Sequence, residues 1–282
     1  MPISVDIPAT RRRIARLRRY VRRTLLDGDE FLCSHLDACQ GSIKSGHPFR
    51  EGTMSHVGRR YDLVLGGKPL RILVVGQESG LPKDPRSPWG RRVSLEARHH
   101  QLHDVTGLQK RFYAEPGHQG RNPHMRGTTS ALRVLFGKGL GHDYEGEFVH
   151  PVNGGPFHVF DGFALANRLL CSAGPVGTSK GSPTSTMLDN CATHFALTAS
   201  ILEPTVVILQ GALVARSVAE VLQLGHSHGE YLHEVHLGEQ RMLVCSFSHP
   251  SAHGALRWGD QPQSRYMAEV VAPTLRAALR RL

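Results

Sequence analysis

No apolar run in this 282-residue chain approaches the roughly 20 residues that a membrane-crossing helix needs, and residues 1–26 hold no apolar stretch of the secretory-signal kind. The expectation is a soluble, cytoplasmic protein with no membrane partner. The zinc-protease pattern HExxH is missing, so His99 and His103, four residues apart, read as loop histidines. Aromatic residues make up only 6% of the chain, and no segment repeats. Cysteine is sparse, with one residue each at 33, 39, 171, 191 and 245. In a cytosolic chain that count argues against a disulfide framework and leaves free thiols or metal ligands. Acidic residues are also in deficit, 24 against 34 Lys and Arg, a formal net charge of +10.

That charge is concentrated. Residues 1–26 carry eight arginines and one aspartate, a net +7, which leaves only +3 for the rest. Within residues 10–26, Ile14, Leu17, Val21 and Leu25 fall on one face at helical spacing and arginines fill the remainder, predicting a basic amphipathic helix. Such a helix suits a polyanion, with nucleic acid as the leading partner, or is a solvated surface face.

The hydrophobic content of 40% suffices for a single-domain core over residues 1–282. Residues 71–75, 205–209 and 242–247 are short apolar runs, each entering a polar loop, as buried parallel strands do; Phe157 to Phe160 is a weaker fourth candidate. Helical patterns at Met187 to Leu202 and Ala212 to Leu224 alternate with them. The expected fold is three-layer α/β/α around a central, mainly parallel four-stranded sheet. Ligands bind such sheets beyond the carboxyl ends of the strands, so the loops after Val75 and Phe247 are expected to converge. Residues 91–126 are polar, rich in His and Gly, and read as an inserted loop.

The first of those loops, Gly76-Gln77-Glu78-Ser79-Gly80, is neither a dinucleotide-binding GxGxxG nor a GxSxG nucleophile elbow. Paired with Ser248-His249-Pro250-Ser251, about 170 residues later, it resembles the two signature loops of the uracil-DNA glycosylase superfamily. The resemblance spans roughly residues 33 to 280 and is closest to the branch with an iron-sulfur cluster. Phe163 to Asn167 followed by Cys171 is similar to that branch's strand with a base-reading Asn and a ligand Cys. Pro183, Asn190-Cys191 and Pro204 to Gly211 resemble its next cysteine and third strand, and Ser87-Pro88-Trp89-Gly90 its aromatic turn. Three departures stand out: the branch has Gly-Glu-Ala-Pro-Gly in the first loop, Cys33 and Cys39 are spaced more widely than its first pair, and residues 91–126 have no counterpart.

The resemblance implies a monomeric glycosylase that flips a pyrimidine from DNA and hydrolyses its N-glycosidic bond. His249 would hydrogen-bond the departing base and Glu78 would activate water while facing the cationic sugar. Gln77, Gly80, Trp89 and Asn167 would contact the base, Trp89 by stacking. Leu256 would enter the vacated stack, with Ser251 and Arg257 on the DNA. Cys33, Cys39, Cys171 and Cys191 would hold a 4Fe-4S cluster, with zinc as the alternative. Blander readings stand beside these: a capping or core histidine, a loop acid, a core tryptophan, and four small buried hydrophobes. Cys245, inside an apolar run, reads as core. An Asn amide reads uracil in one orientation and cytosine in the other, so Asn167 leaves the base open. Gly80 leaves room at C5, so a bulky C5-modified cytosine of phage DNA is a second substrate reading, implying a defence role. A DNA-binding sensor without turnover is the reading from another class, and a small-molecule nucleotide-binding protein ranks last.

Overall fold

The computed structural model describes residues 2–28, 30–52, 54–78, 122–141, 143, 145–175, 181–259 and 264–282. Six strands form the main sheet: β1 (His56–Val57), β2 (Ile72–Gly76), β3 (Phe163–Asn167), β4 (Val206–Gln210), β5 (Leu232–Leu237) and β6 (Gln240–Phe247), in the order β5-β6-β4-β2-β3-β1. The pairings β6-β4, β4-β2 and β2-β3 are parallel, whereas β5 and β1 close the edges antiparallel. The chain is thus α/β with a mixed sheet of six strands rather than four. The edges escape a sequence reading because β1 is two residues long and β5 alternates buried and solvated positions, unlike the continuous apolar runs of the centre.

Phe157 to Phe160 is not the fourth parallel strand. Among the described residues Phe157–His158 pairs only with Phe148–Val149, a 3-10 turn covers Val159–Gly162, and the strands beside β2 are β3 and β4. The expected inserted loop also needs correction at its end. Residues 123–126 open helix α3 (Pro123–Leu135 in the numbering that follows), and residues 91–121 lie outside the described residues.

The labelled helices are α1 (Ile7–Thr24), α2 (Leu36–Gly41), α3 (Pro123–Leu135), α4 (Ser185–Leu202), α5 (Ala212–Leu222) and α6 (Ala272–Arg281). Side chains alternate across a strand, so Ile72 and Val74 join one core with Leu132 and Leu135 of α3 and Leu275 of α6. Leu73 and Val75 join the other with Leu17 and Val21 of α1, Phe195 of α4 and Val218 of α5. Both faces of the sheet are thereby covered, and each buried aliphatic side chain contributes about 1.5–3 kcal/mol. Cys245 is fully buried in the first core.

Helix α1 confirms the predicted amphipathic segment and starts at Ile7, where the Asp6 carboxylate accepts the Ala9 N–H at 2.8 Å. Not all of its arginines face solvent. Arg13 is buried, donates to Asp62 at 2.9 Å and to the Ile201 carbonyl at 2.8 Å, and lies 3.3 Å from Glu203. That guanidinium ties α1 to the sheet and to the end of α4, while Arg11, Arg12, Arg19, Arg22 and Arg23 remain exposed. Among the described residues no helix is long and apolar enough to cross a membrane.

Candidate active site

The parallel register sets Asn167 opposite Gly76 and Phe247 opposite Gln210, so four strands end at one edge of the sheet. The backbone continues the pairing one step further. The Arg168 N–H donates to the Gly76 carbonyl and the Leu169 N–H to the Gln77 carbonyl, both at 2.8 Å. The loop after β2 is thereby locked to the loop after β3.

Gly76 forms a floor. A Cβ at this position would lie 3.2 Å from Asn167 Oδ1 and 3.6 Å from His124 Nε2, so any side chain would fill the space between them. His124 in turn faces His249, with ring centroids 5.9 Å apart and a 32° tilt. The ends of β2 and β3 and the loop after β6 are thus bridged by His124, a residue that the strand pattern did not point to.

His249 is exposed at its edge, but its ring packs over Gly211 and beside His124. This desolvation holds its pKa below the ordinary histidine value, which favours the neutral ring. The Ser251 N–H points at Nδ1 from 3.2 Å and the Ser251 hydroxyl from 2.7 Å. A ring nitrogen that accepts a backbone N–H carries no proton, so the proton resides on Nε2. Ser251 thus serves the histidine.

The rest of this loop is latched down. Ser248 Oγ donates to the Leu256 carbonyl at 2.6 Å, and Trp258 Nε1 donates to the Ser248 carbonyl at 2.8 Å. Trp258 is buried against Phe247, and Gly127 and Gly259 permit close approach of Pro250 and Pro123. At the tip, a 3-10 turn over Gly254–Leu256 leaves Leu256 53% exposed, with Arg257 exposed beside it. An apolar side chain held outward on a braced turn has the form of a wedge.

Glu78 points elsewhere. Its carboxylate accepts the Ala173 N–H and the Gln77 Nε2 amide, the latter at 3.3 Å, and it presses against Gly181. Among the described residues Oε2 is buried without a partner, and no described contact joins Glu78 to His249 or Asn167. Burial raises its pKa to about 7, against the partial relief from Ala173 and Gln77. Gly80 and Trp89 lie outside the described residues.

The four cysteines named from the sequence are drawn to one region. Cys33 precedes α2, Cys39 lies within it, Cys171 follows β3, and Cys191 sits on α4; their thiols interact electrostatically with one another. Each sulfur meets an N–H donor. Backbone amides of His35, Gly52 and Leu170 serve Cys33, Cys171 and Cys191, and Asn190 Nδ2 donates to Cys39 at 3.4 Å. Burial raises the thiol pKa of Cys171 and Cys33, and that of Cys191 to about 11. Close by, Arg168 is buried and donates to the Leu188 and Ser217 carbonyls, while its Nη1 has no partner among the described residues. Burial lowers the pKa of this guanidinium, and the charges acting on it are those of Cys191, Glu220 and Asp189. Among the described residues no three His, Cys, Asp or Glu side chains are grouped as ligands of one metal ion.

The sequence pointed to neither His124 nor Gln210 as a site residue. Gln210 closes β4, is buried, donates to Thr128 Oγ1 at 3.1 Å, and has a buried Oε1 without a partner among the described residues. The signal for His124 was Asn122-Pro123, a capping residue followed by proline at the first helical position. Neither known protein-family models nor curated proteins give a match to this chain.

Proposed function

We propose that the chain is a DNA glycosylase of the uracil-DNA glycosylase superfamily, a three-layer α/β/α domain whose four central strands are parallel, acting on uracil or a modified pyrimidine. The observation that carries this reading is the way His124 bridges two places at the carboxyl edge of the sheet, lying with Asn167 over Gly76 and beside the ring of His249, whose proton is on Nε2.

In the proposed reaction the wedge Leu256 holds the stack open while the flipped base enters over Gly76, with its Watson–Crick edge on the Asn167 amide. The C1′–N1 bond breaks heterolytically, the electron pair stays on the base, and charge appears on its carbonyl oxygens. His249 Nε2–H hydrogen-bonds that charge without giving up its proton, as a neutral donor in a desolvated site does. Water adds to C1′ and loses a proton to Glu78 once that carboxylate turns from Ala173 and Gly181 toward the sugar, and its pKa near 7 suits the task. The base then takes a proton from solvent, leaving an abasic site. Gln77 orients the Glu78 carboxylate, and exposed arginines of α1 with Arg257 add salt-sensitive affinity for phosphates.

Cys33, Cys39, Cys171 and Cys191 would hold a 4Fe-4S cluster, which would supply a cross-link between the segment carrying α2 and the sheet. Purified protein is expected to be brown with about four irons; stoichiometric zinc in colourless protein would replace the cluster with the other metal.

The functional test is incubation with oligonucleotides carrying one uracil or one C5-modified cytosine, followed by alkali. Strand cleavage lost in His249→Ala supports the reading, and cleavage confined to the modified cytosine moves the substrate to that base. Tight DNA binding with no cleavage of either substrate overturns the enzyme reading in favour of a sensor.

A further inference from the structure

We infer that His124 is a second donor to the departing base, acting with His249 on one carbonyl oxygen while Asn167 reads the opposite edge. The inference rests on the glycosylase reading and extends it to a residue outside both signature loops.

Gly76 has no need of glycine for its backbone, because its φ is not in the positive range; the requirement is space. The two atoms that claim this space are Asn167 Oδ1 and His124 Nε2, both within 3.6 Å of the missing Cβ. One is an amide already suited to the Watson–Crick edge, and the other is an imidazole nitrogen presented from the opposite layer.

His124 is held there by construction. Asn122 caps α3 by accepting the Met125 N–H at 2.9 Å, and Pro123 occupies the first turn. The Thr128 hydroxyl donates to the His124 carbonyl at 3.0 Å, and Gln210 donates to that same hydroxyl at 3.1 Å. The end of β4 thereby fixes the first turn of α3 beside the ends of β2 and β3. The helix N-terminus contributes its partial positive charge where the base becomes an anion.

A carbonyl oxygen has two lone pairs and can accept from two donors at once. With ring centroids 5.9 Å apart and a tilt of 32°, His124 and His249 are close enough for both to reach one acceptor placed between them. Two ring N–H donors then share the developing charge.

The test compares single-turnover release of uracil and 5-fluorouracil from single-stranded oligonucleotides by the full chain and by His124→Ala. Fluorine stabilises the base anion, so 5-fluorouracil depends less on donors from the protein. We expect uracil release to fall by about 10²-fold, the loss typical of one oxyanion donor, with a clearly smaller loss for 5-fluorouracil and unchanged affinity for DNA. If His124→Ala does not fold, His124→Gln, which keeps an N–H, carries the same comparison with a smaller but still base-dependent loss. An undiminished rate, or an equal loss on both bases, overturns the inference while leaving the glycosylase reading intact. A wild-type protein that releases neither of these bases nor a C5-modified cytosine overturns both.

Discussion

Replacement of Glu78 by Gln removes one titration from the first loop with little change of shape, and its effect on stability has a sign that the burial dictates. The folded-state pKa is about 7 against 4.5 for the free side chain, with desolvation as the main cause. An acid whose pKa rises on folding favours the native state while it is protonated. Its unfavourable contribution grows as pH climbs above 4.5 and is complete above 7. The full penalty is about 3 kcal/mol, and the part that develops between pH 5.5 and 8 is about 2 kcal/mol. Urea denaturation of wild type and Glu78→Gln at those two pH values isolates it. The variant should gain about 2 kcal/mol relative to wild type on going to pH 8. Parallel pH curves would refute the burial argument. The same substitution separates chemistry from packing: the wild-type excision rate should rise with pH through about 7, and Glu78→Gln should be flat and slower by about 10²–10⁴. A variant that stays fast would make Glu78 a loop anchor only.

Asp62→Asn leaves the buried Arg13 guanidinium without its bidentate carboxylate and should destabilise the fold by about 3 kcal/mol, read as a lowered urea midpoint. Gly76→Ala places a methyl 3.2 Å from Asn167 Oδ1 and should slow excision while the melting temperature barely moves. The expected loss is about tenfold or more, given the cost of misplacing a contact in the site. Leu256→Ala should slow excision from duplex about tenfold and leave single-stranded substrate unaffected, because only the duplex resists unstacking. Equal losses on both substrates would remove the wedge role.

The centre of the fold was legible because it is buried on both faces. β2, β4 and the apolar stretch of β6 are continuous apolar runs, and a run ending in glycine or serine points to the edge where a site lies. The amphipathic pattern of α1 was equally clear, yet it did not reveal that Arg13 turns inward, since only the tertiary partners Asp62 and Glu203 make that burial affordable. Of the site, Asn167 and His249 stood out from their loops, and the four cysteines from their number. His124 was hidden inside a His-rich polar stretch, where one more histidine has no contrast with its neighbours. Nor did sequence spacing show the carboxylate of Glu78 facing Ala173 and Gly181, because side-chain direction in an irregular loop follows from which strand comes alongside.

The most direct measurement of the central claim is the mass of a uracil-containing strand after a single turnover in water enriched with oxygen-18. Hydrolysis at C1′ predicts an intact strand that has lost its base and gained one labelled oxygen, with no such product from His249→Ala. An unchanged mass both of this strand and of one carrying a C5-modified cytosine, under conditions where the protein holds the DNA, would contradict it.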